Sequence, residues 1–481
     1  MTTSFVKISP LLFLLAATAS TIGASPVAAA QQSLLPIRSA AFPADLRAAL
    51  QQKLGRTASA ACGTSAQPRL AHCADEAPSP LGNLDWIQQI VTGDDLADYA
   101  MFGTSVSIDG TVAVVGSPQL DPIGSAQGNG AAYVFTRTAD GWTQTQKLVA
   151  DDGAFGDNFG ISVAVQGDTV LVGAYNATIG ANDKQGAVYV FRPLAGAWTQ
   201  TQKLSPSDAP AGRMVGAWIS LDGDNALVST PAGMMGDDPS TAPVYALHQD
   251  NGSWSIAQTI EADDYSVGDV FGMQTAVRGT TAVIGAPGAN VLEGAAYVFN
   301  YANGAWTQTQ KLSPSDTGEM LAFGWSVALD GNNALFGAPY ANVGDYSMQG
   351  SAYVFHLEDG NWAQTQKLTP VIGVDDCRFG LTVALSGETA VVATPWTKEV
   401  EGVASYGGVW VYTAAGDDGF VPQSTLLAPT SDVTTFGYSA SLSAGTLLTG
   451  DPISGKNLDI GSAVIYAQDR IFTNGFDGAT P

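Results

Sequence analysis

Short apolar and β-branched runs, separated by glycine-rich turns, recur along most of the chain. The stretch from 159 to 204 shows four such runs, of which the first alternates between apolar and polar residues. The runs lie at 159–165, 169–172, 187–191 and 198–204. Gly167 and Asp168 form a tight hairpin signal between the first two runs, and a longer loop precedes the third. The pattern predicts four consecutive short β-strands.

Two landmarks show that this group of four strands repeats. One is Trp-Thr-Gln-Thr-Gln-Lys-Leu and its variants, which begin at Trp86, Trp142, Trp198, Trp254, Trp306, Trp362 and Phe420. The other is an aromatic–glycine pair, which begins at Phe102, Phe159, Phe271, Phe323, Phe379 and Phe436, with Val215 in the remaining place. The second landmark recurs every 52–57 residues, which gives seven units. Four-stranded units at a fixed period predict a β-propeller.

The two ends of the array predict how the ring closes. The last unit has three strand-like runs, at 436–442, 446–449 and 462–467, and no fourth. The array begins instead with a spare fourth run at 86–91. We therefore expect the N-terminal strand to complete the last blade. The fourth strand of each blade is the outermost, and we expect its Thr and Gln side chains to face solvent and discourage edge pairing.

The aromatic–glycine pairs, together with a second glycine-containing triplet, resemble FG-GAP repeats. These repeats build the propeller of integrin α subunits and occur in many exported bacterial proteins. The triplets begin at Gly116, Gly173, Ser229, Gly285, Gly337, Ala393 and Gly450. The resemblance implies an all-β, seven-bladed propeller of four-stranded blades. It implies no single function, because the same repeat serves adhesion, ligand binding and scaffolding.

The connection between the first two strands of each unit departs from the integrin pattern. Integrin repeats often carry a calcium loop there, of the form Asp-x-Asp-x-Asp-Gly-x-x-Asp. Here the connection is a short turn such as Asp109-Gly110 or Gly167-Asp168. Such turns have no room for several oxygen ligands, so we do not expect calcium in them.

Charge and composition exclude some partners. Only 13% of the 481 residues are charged, and the net charge is −25. A chain this acidic repels phosphate backbones, which excludes nucleic acid as an expected partner. No apolar segment is long enough to span a membrane.

The N-terminal segment has the pattern of an export signal. Lys7 precedes an apolar run at 11–17, and small residues end at Ala30. We expect a signal peptide at 1–30, a spacer or small cap at 31–85, the propeller at 86–468 and a tail at 469–481. Export to an oxidising compartment favours a disulfide between Cys62 and Cys73 over two free thiols.

Acidic clusters between the units are the candidate metal ligands. Asp151, Asp152 and Asp157 precede unit two, and Asp263, Asp264 and Asp269 precede unit four with the same spacing. Such loops can supply the carboxylate and carbonyl oxygens that Ca²⁺ prefers. The alternative is turn chemistry, in which Asp side chains accept backbone N–H groups. Calcium is therefore a possible cofactor, and no other is expected.

The loops that join the second and third strands vary most between units. They leave the same face of the propeller as the acidic loops, and variable loops on a repeating scaffold commonly carry function. Tyr340, Tyr346, Trp396 and Tyr406 lie in them and offer stacking area to a glycan or peptide. The alternative is that they cover blade edges.

We therefore expect a secreted or surface-bound protein that is not an enzyme. Its expected role is a binding or adhesion scaffold for an extracellular protein or glycan. One alternative is a secreted hydrolase or lyase acting on a polysaccharide, which would need carboxylates converging near the central channel. The other is a calcium-stabilised structural surface protein.

Overall fold

In the computed structural model of the protein, seven four-stranded antiparallel sheets are arranged as propeller blades. The model describes residues 86–119, 128–230, 243–316, 321–370, 375–395, 399–400, 403–404, 408–416, 419–428, 435–454 and 460–468. The expected signal peptide, spacer and tail lie outside these residues, as do Cys62, Cys73, Trp396 and Tyr406. No helix within the described ranges is long and apolar enough to cross a membrane.

Each blade runs outward from an inner strand, which contacts the inner strands of both neighbouring blades. Blade 1 consists of β2 (Ser105–Asp109), β3 (Val112–Ser117), β4 (Ala131–Thr138) and β5 (Gly141–Leu148). Blade 2 consists of β6 (Ser162–Gln166), β7 (Thr169–Ala174), β8 (Ala187–Leu194) and β9 (Ala197–Leu204). Blade 3 consists of β10 (Ile219–Asp222), β11 (Asn225–Val228), β12 (Val244–Asp250) and β13 (Ser253–Ile260). Blade 4 consists of β14 (Thr275–Arg278), β15 (Thr281–Ala286), β16 (Ala295–Ala302) and β17 (Ala305–Leu312). Blade 5 consists of β18 (Val327–Asp330), β19 (Asn333–Ala338), β20 (Ser351–Glu358) and β21 (Asn361–Leu368).

Blades 6 and 7 contain the exceptions to the repeat. Blade 6 is β22 (Thr382–Ser386), β23 (Thr389–Thr394), β26 (Gly408–Ala414) and β27 (Phe420–Leu427), with a small hairpin, β24 (Glu399–Val400) and β25 (Val403–Ala404), inserted. Blade 7 is β28 (Ser439–Ser443), β29 (Thr446–Asp451), β30 (Ser462–Gln468) and β1 (Trp86–Val91). A short turn with left-handed backbone, α1 (Ala289–Leu292), lies in blade 4.

The predicted closure of the ring is confirmed. Strand β1 pairs antiparallel with β30 along its whole length, from Trp86 opposite Gln468 to Val91 opposite Ala463. Val91 is buried in a core cluster that also contains Phe102 and Ile465. The closing blade thus joins the N-terminal strand to the C-terminal end of the array.

Close packing of glycines explains both the aromatic–glycine pair and the glycine-containing triplet. The Phe-Gly pair lies just before the inner strand rather than inside it, because Phe159 makes a parallel bridge to Gly130 of the preceding blade. A Cβ on Gly116 would lie 2.0 Å from the carbonyl oxygen of Gly160 in the next blade. Backbone therefore meets backbone at this junction, and only glycine fits.

The phenylalanine of the pair anchors the core of every blade except blade 3, where Val215 takes its place. Phe159 is buried and packs edge-on against Tyr189 and Phe191 of the third strand, with ring centroids 5.4 and 6.0 Å away. The same arrangement joins Phe102 to Tyr133 and Phe135, and Phe271 to Tyr297 and Phe299. Edge-to-face packing is the favoured geometry for such rings.

Candidate ligand-binding face

The antiparallel order of each blade places two kinds of loop on one face of the ring. These are the loops between the second and third strands and the loops that lead from one blade to the next. We call this side the loop face, and the opposite side, with the tight turns, the hairpin face. The predicted metal and ligand residues that lie in the described part of the chain are all on the loop face.

The acidic pairs of the inter-blade loops are bound by side chains of the blade that follows. One oxygen of Asp152 accepts the Tyr189 hydroxyl at 3.0 Å, and the other contacts Lys203 Nζ at 2.6 Å. Lys203 also lies over the Tyr189 ring, 5.1 Å from its centroid. Asp264 makes the same contacts with Tyr297 and Lys311, at 2.8 and 2.6 Å. Asp95 repeats the arrangement in blade 1. In blade 5 one oxygen of Asp316 contacts both the tyrosine and the lysine.

These contacts keep Asp152 and Asp264 ionised. Burial raises the pKa of the Asp152 carboxyl, but the hydrogen bonds from Lys203 and Tyr189 outweigh it and bring the pKa below its usual range. The hydrogen bond from Lys311 is the largest cause of the lowered pKa of Asp264. Burial and the adjacent carboxylate raise the pKa of Tyr297 to about 12. The Asp–Lys–Tyr group is a neutralised contact that ties the inter-blade loop to the blade.

The other candidate metal ligands have local roles. Asp157 Oδ2 accepts the backbone N–H of Ala154 at 2.8 Å, and Asp269 Oδ2 accepts that of Ser266 at 2.9 Å. The backbone N–H groups of Asp151 and Asp263 donate to Gln200 and Gln308. Within the described ranges no group of three or more His, Cys, Asp or Glu side chains is arranged to hold a metal. Calcium at these loops stays a prediction.

The sequence pattern led us to expect that the fourth-strand glutamines face solvent. In the structure they contact the next blade instead. The Gln146 side chain donates to the carbonyl oxygen of Trp198 in the next blade at 2.5 Å and accepts its N–H at 2.7 Å. Equivalent pairs link Gln89 to Trp142, Gln202 to Trp254, Gln258 to Trp306, Gln310 to Trp362 and Gln366 to Phe420. At the junction of blades 6 and 7, Ser424 accepts the indole N–H of Trp86 instead.

The candidate aromatic residues differ in accessibility. Tyr340 packs edge-on against Trp325, with centroids 5.5 Å apart, and the Arg378 guanidinium lies over its ring at 5.4 Å. The Tyr340 ring is therefore already covered by side chains of the protein. Tyr346 has 44% of its surface exposed on the loop face. Stacking on an incoming ligand is thus open to Tyr346 and restricted at Tyr340.

Three exposed apolar side chains on this face were not expected. Phe155 and Val267 occupy the same place in the inter-blade loops before blades 2 and 4, and they are 71% and 60% exposed. Val291, in the loop of blade 4, is 79% exposed. For Phe155 a signal was present in the sequence, since it interrupts a run of Asp, Gly and Ala residues. Val291 is followed by Leu292 and Glu293, so no comparable signal marks it.

The starts of the inner strands form an apolar cluster at the same face. Tyr175 and Met214 are buried against Ala217, with Ile161 and Trp218 beside them. Burial raises the pKa of Tyr175 to about 12, and burial and the nearby Tyr175 raise that of Tyr438. Tyr175 and Tyr438 belong to blades 2 and 7, which are not adjacent.

The comparison with protein families agrees with this architecture. No curated protein matches the chain. Among solved structures, the Pseudomonas aeruginosa periplasmic gluconolactonase PpgL is similar at 14% identity with a TM-score of 0.43, over 68% of this chain and 88% of that chain. A family model described as FG-GAP repeat matches residues 86–135, 142–191, 254–299, 306–355 and 362–412, which is more than half of the chain. The protein therefore belongs to the FG-GAP repeat family.

Proposed function

We propose that the protein is a non-catalytic binding scaffold, exported from the cell, that presents the loop face of its propeller to an extracellular protein or glycan. One observation carries the proposal. The polar groups that recur from blade to blade bind the blades to each other or tie the inter-blade loops to the blades, whereas several residues that do not recur are exposed on the loop face. Phe155 and Tyr346 are the aromatic members of that exposed set.

The repeated groups give a structural role to the lysine-paired aspartates of this face. Lys203 neutralises Asp152, and Lys311 neutralises Asp264, each at 2.6 Å. An exposed aromatic ring gains nothing from the fold and is a common anchor in binding surfaces. A rigid ring with variable exposed side chains on one face has the arrangement of a recognition module.

The proposal is tested with the full chain on a glycan array and on a panel of purified extracellular matrix proteins. We expect retention of at least one arrayed ligand. The double variant Phe155→Ser/Tyr346→Ser should weaken that retention roughly tenfold or more, because both anchors are removed. The matched control is Ile87→Ser/Leu194→Ser, which removes two exposed apolar side chains that lie on a fourth strand and at a hairpin turn.

Two results would contradict the proposal. One is the absence of any retained ligand, or an equal loss in the control variant. The other is release of oligosaccharide products from a polysaccharide by the purified protein, which would favour the hydrolase or lyase alternative.

A further inference from the structure

Two loops of the loop face meet at blade 4 and hold each other rigidly. The backbone N–H of Gly288 donates to the carbonyl oxygen of Asp269 at 2.9 Å. A Cβ on Gly288 would lie 1.9 Å from the carbonyl oxygen of Gly268, so the two backbones are in direct contact. On the other side, the carbonyl oxygens of Leu292 and Glu293 accept N–H groups from Ala322 and Phe323 of the next inter-blade loop. We call residues 261–270 and 287–294 the blade 4 loops.

The tip of the second loop has an unfavourable backbone conformation. Asn290, Val291 and Leu292 are consecutive left-handed residues, with φ values of 52°, 59° and 71°. This region is costly for a β-branched residue such as valine. The equivalent loops of blades 2 and 5 place glycine at positive φ, at Gly180 and Gly344. Glycine would be the easier residue here, yet the chain has an exposed valine.

The strain is not compensated by burial of the valine itself. Val291 is 79% exposed, and Val267, on the contacting loop, is 60% exposed. Two aliphatic side chains thus project into solvent from loops that are fixed in place. Strained residues of this kind persist where the surrounding structure imposes them, commonly at binding sites.

Every titratable side chain in the blade 4 loops, apart from the tyrosine hydroxyl of Tyr265, is a carboxylate. They are Glu261, Asp263, Asp264, Asp269 and Glu293. Asp264 is paired with Lys311. Asp263, Asp269 and Glu293 make no ion pair within the part of the chain that the structure describes. The exposed valines therefore lie on the same two loops as three carboxylates that have no ion pair in the described part of the chain.

We propose that the blade 4 loops bind a polypeptide segment in which apolar side chains alternate with Lys or Arg. The inference rests on the proposed function and names the class of partner for that face. Aliphatic side chains offer no flat surface for stacking a sugar, whereas they pack against leucine, isoleucine or valine. The carboxylates attract and orient the cationic side chains and reject acidic segments.

The test uses fluorescent short peptides of alternating Leu and Lys, with Ser/Lys and Leu/Glu peptides as controls, and the full-length protein. Fluorescence anisotropy should show saturable binding of the Leu/Lys peptide that weakens as salt is added. The Ser/Lys peptide should bind at least tenfold more weakly, because it lacks apolar side chains. The Leu/Glu peptide should not bind.

Two variants locate the site. Val267→Ser/Val291→Ser should weaken Leu/Lys binding roughly tenfold or more, and Asp263→Asn/Glu293→Gln should reduce both the affinity and its salt dependence. Ile87→Ser/Leu194→Ser is again the control and should bind as the parent protein does. Thermal unfolding of each variant checks that the propeller is intact.

Absence of Leu/Lys binding, or binding unchanged by the blade 4 variants, would overturn this inference. Either result leaves the array experiment to decide the proposed function, because retention there is judged with variants of Phe155 and Tyr346. Equal binding of the Ser/Lys peptide would reduce the interaction to charge alone and would also overturn it.

Discussion

Asp451 is a buried carboxyl in a place where other blades have small residues. It ends β29 and accepts both the backbone N–H and the hydroxyl of Thr435, at 2.7 and 3.1 Å. The same position holds Ser117, whose hydroxyl donates to the carbonyl oxygen of Ala100. In both cases the side chain fixes the residues just before the Phe-Gly pair. Burial raises the pKa of Asp451 to about 6, although the hydrogen bonds from Thr435 act in the opposite direction.

This raised pKa predicts a loss of stability as the pH increases. A folded-state pKa above the ordinary value of ~3.9 means that the folded protein holds the proton more tightly than the unfolded chain. The contribution is complete below about pH 4 and is lost as the pH rises through about 6, by roughly 2–3 kcal/mol. Asp451→Asn should remove this decline, as measured by chemical unfolding from pH 4 to 7. An identical pH profile in the two proteins would refute the assignment.

The glycines of the Gly-x-Pro triplets are required by contact rather than by conformation. A Cβ on Gly285 would lie 1.9 Å from the carbonyl oxygen of Gly324. Gly285→Ala should therefore destabilise the protein by about 3 kcal/mol or more, because two backbones must separate. Gly331 has a φ of 57° and open space around its Cβ position, so Gly331→Asn should cost about 1 kcal/mol or less. Urea unfolding of both variants compares the two, and equal effects would argue against the contact.

At the scale of elements, the outer strand of each blade is an edge that the preceding blade protects. The Gln258 side chain satisfies both backbone groups of Trp306, at 2.9 and 2.7 Å. An unpaired edge is a template for aggregation, and propellers leave only short edges that are protected. The repeated Trp-Thr-Gln-Thr-Gln-Lys-Leu sequence is thus a set of contacts between blades.

Removing one such glutamine should have a measurable cost. Gln258→Ala leaves the N–H and carbonyl of Trp306 without their partner, and we expect a loss of about 1–2 kcal/mol in the free energy of unfolding. Thr259, next to it on β13, is exposed, and Thr259→Ala should change stability by less than about 0.5 kcal/mol. Denaturant titration measures both, and a neutral Gln258→Ala would mean that water replaces the side chain without loss.

Strand order and ring closure could be predicted because they depend on what repeats along the chain. Period and turn signals locate the four strands, and the spare run at 86–91 has only one unpaired place to go. The role of Gln146 could not be predicted in the same way, because an alternating pattern tells which residues share a face but not what lies opposite. The pairing of Asp152 with Lys203 is likewise a contact between segments about 50 residues apart. The exposure of Val291 depends on a backbone conformation that no composition signal predicts for valine.

At the scale of the whole molecule, stability depends on one strand from the far end of the chain. Val91 of β1 is buried in the core cluster that joins blades 7 and 1. Val91→Asp should destabilise the protein by about 3 kcal/mol or more, because a charge would enter that cluster. Ile90, its neighbour on the same strand, is exposed, and Ile90→Asp is the matched control. Thermal unfolding with limited proteolysis of blade 7 is the readout, and similar behaviour of both variants would contradict closure by β1.

Calcium is a question about the whole molecule, because a bound ion would stabilise the native ring. If the loops at Asp151 and Asp263 bind calcium, millimolar Ca²⁺ should raise the unfolding midpoint above that in EDTA. Asp151→Asn/Asp157→Asn should then reduce the increase. Equal unfolding midpoints in Ca²⁺ and in EDTA would show that these loops do not bind calcium.

The direction of the glutamine contacts has a consequence for how such a ring can change in evolution. At every junction except that of blades 6 and 7, a blade carries the glutamine that binds its successor. It also offers the backbone groups that its predecessor's glutamine binds, as Gln146 and Trp142 of blade 1 show. A duplicated unit would therefore arrive with compatible junctions on both sides. The number of blades can therefore change by whole units while the glutamine-to-backbone hydrogen bonds between adjacent blades stay the same.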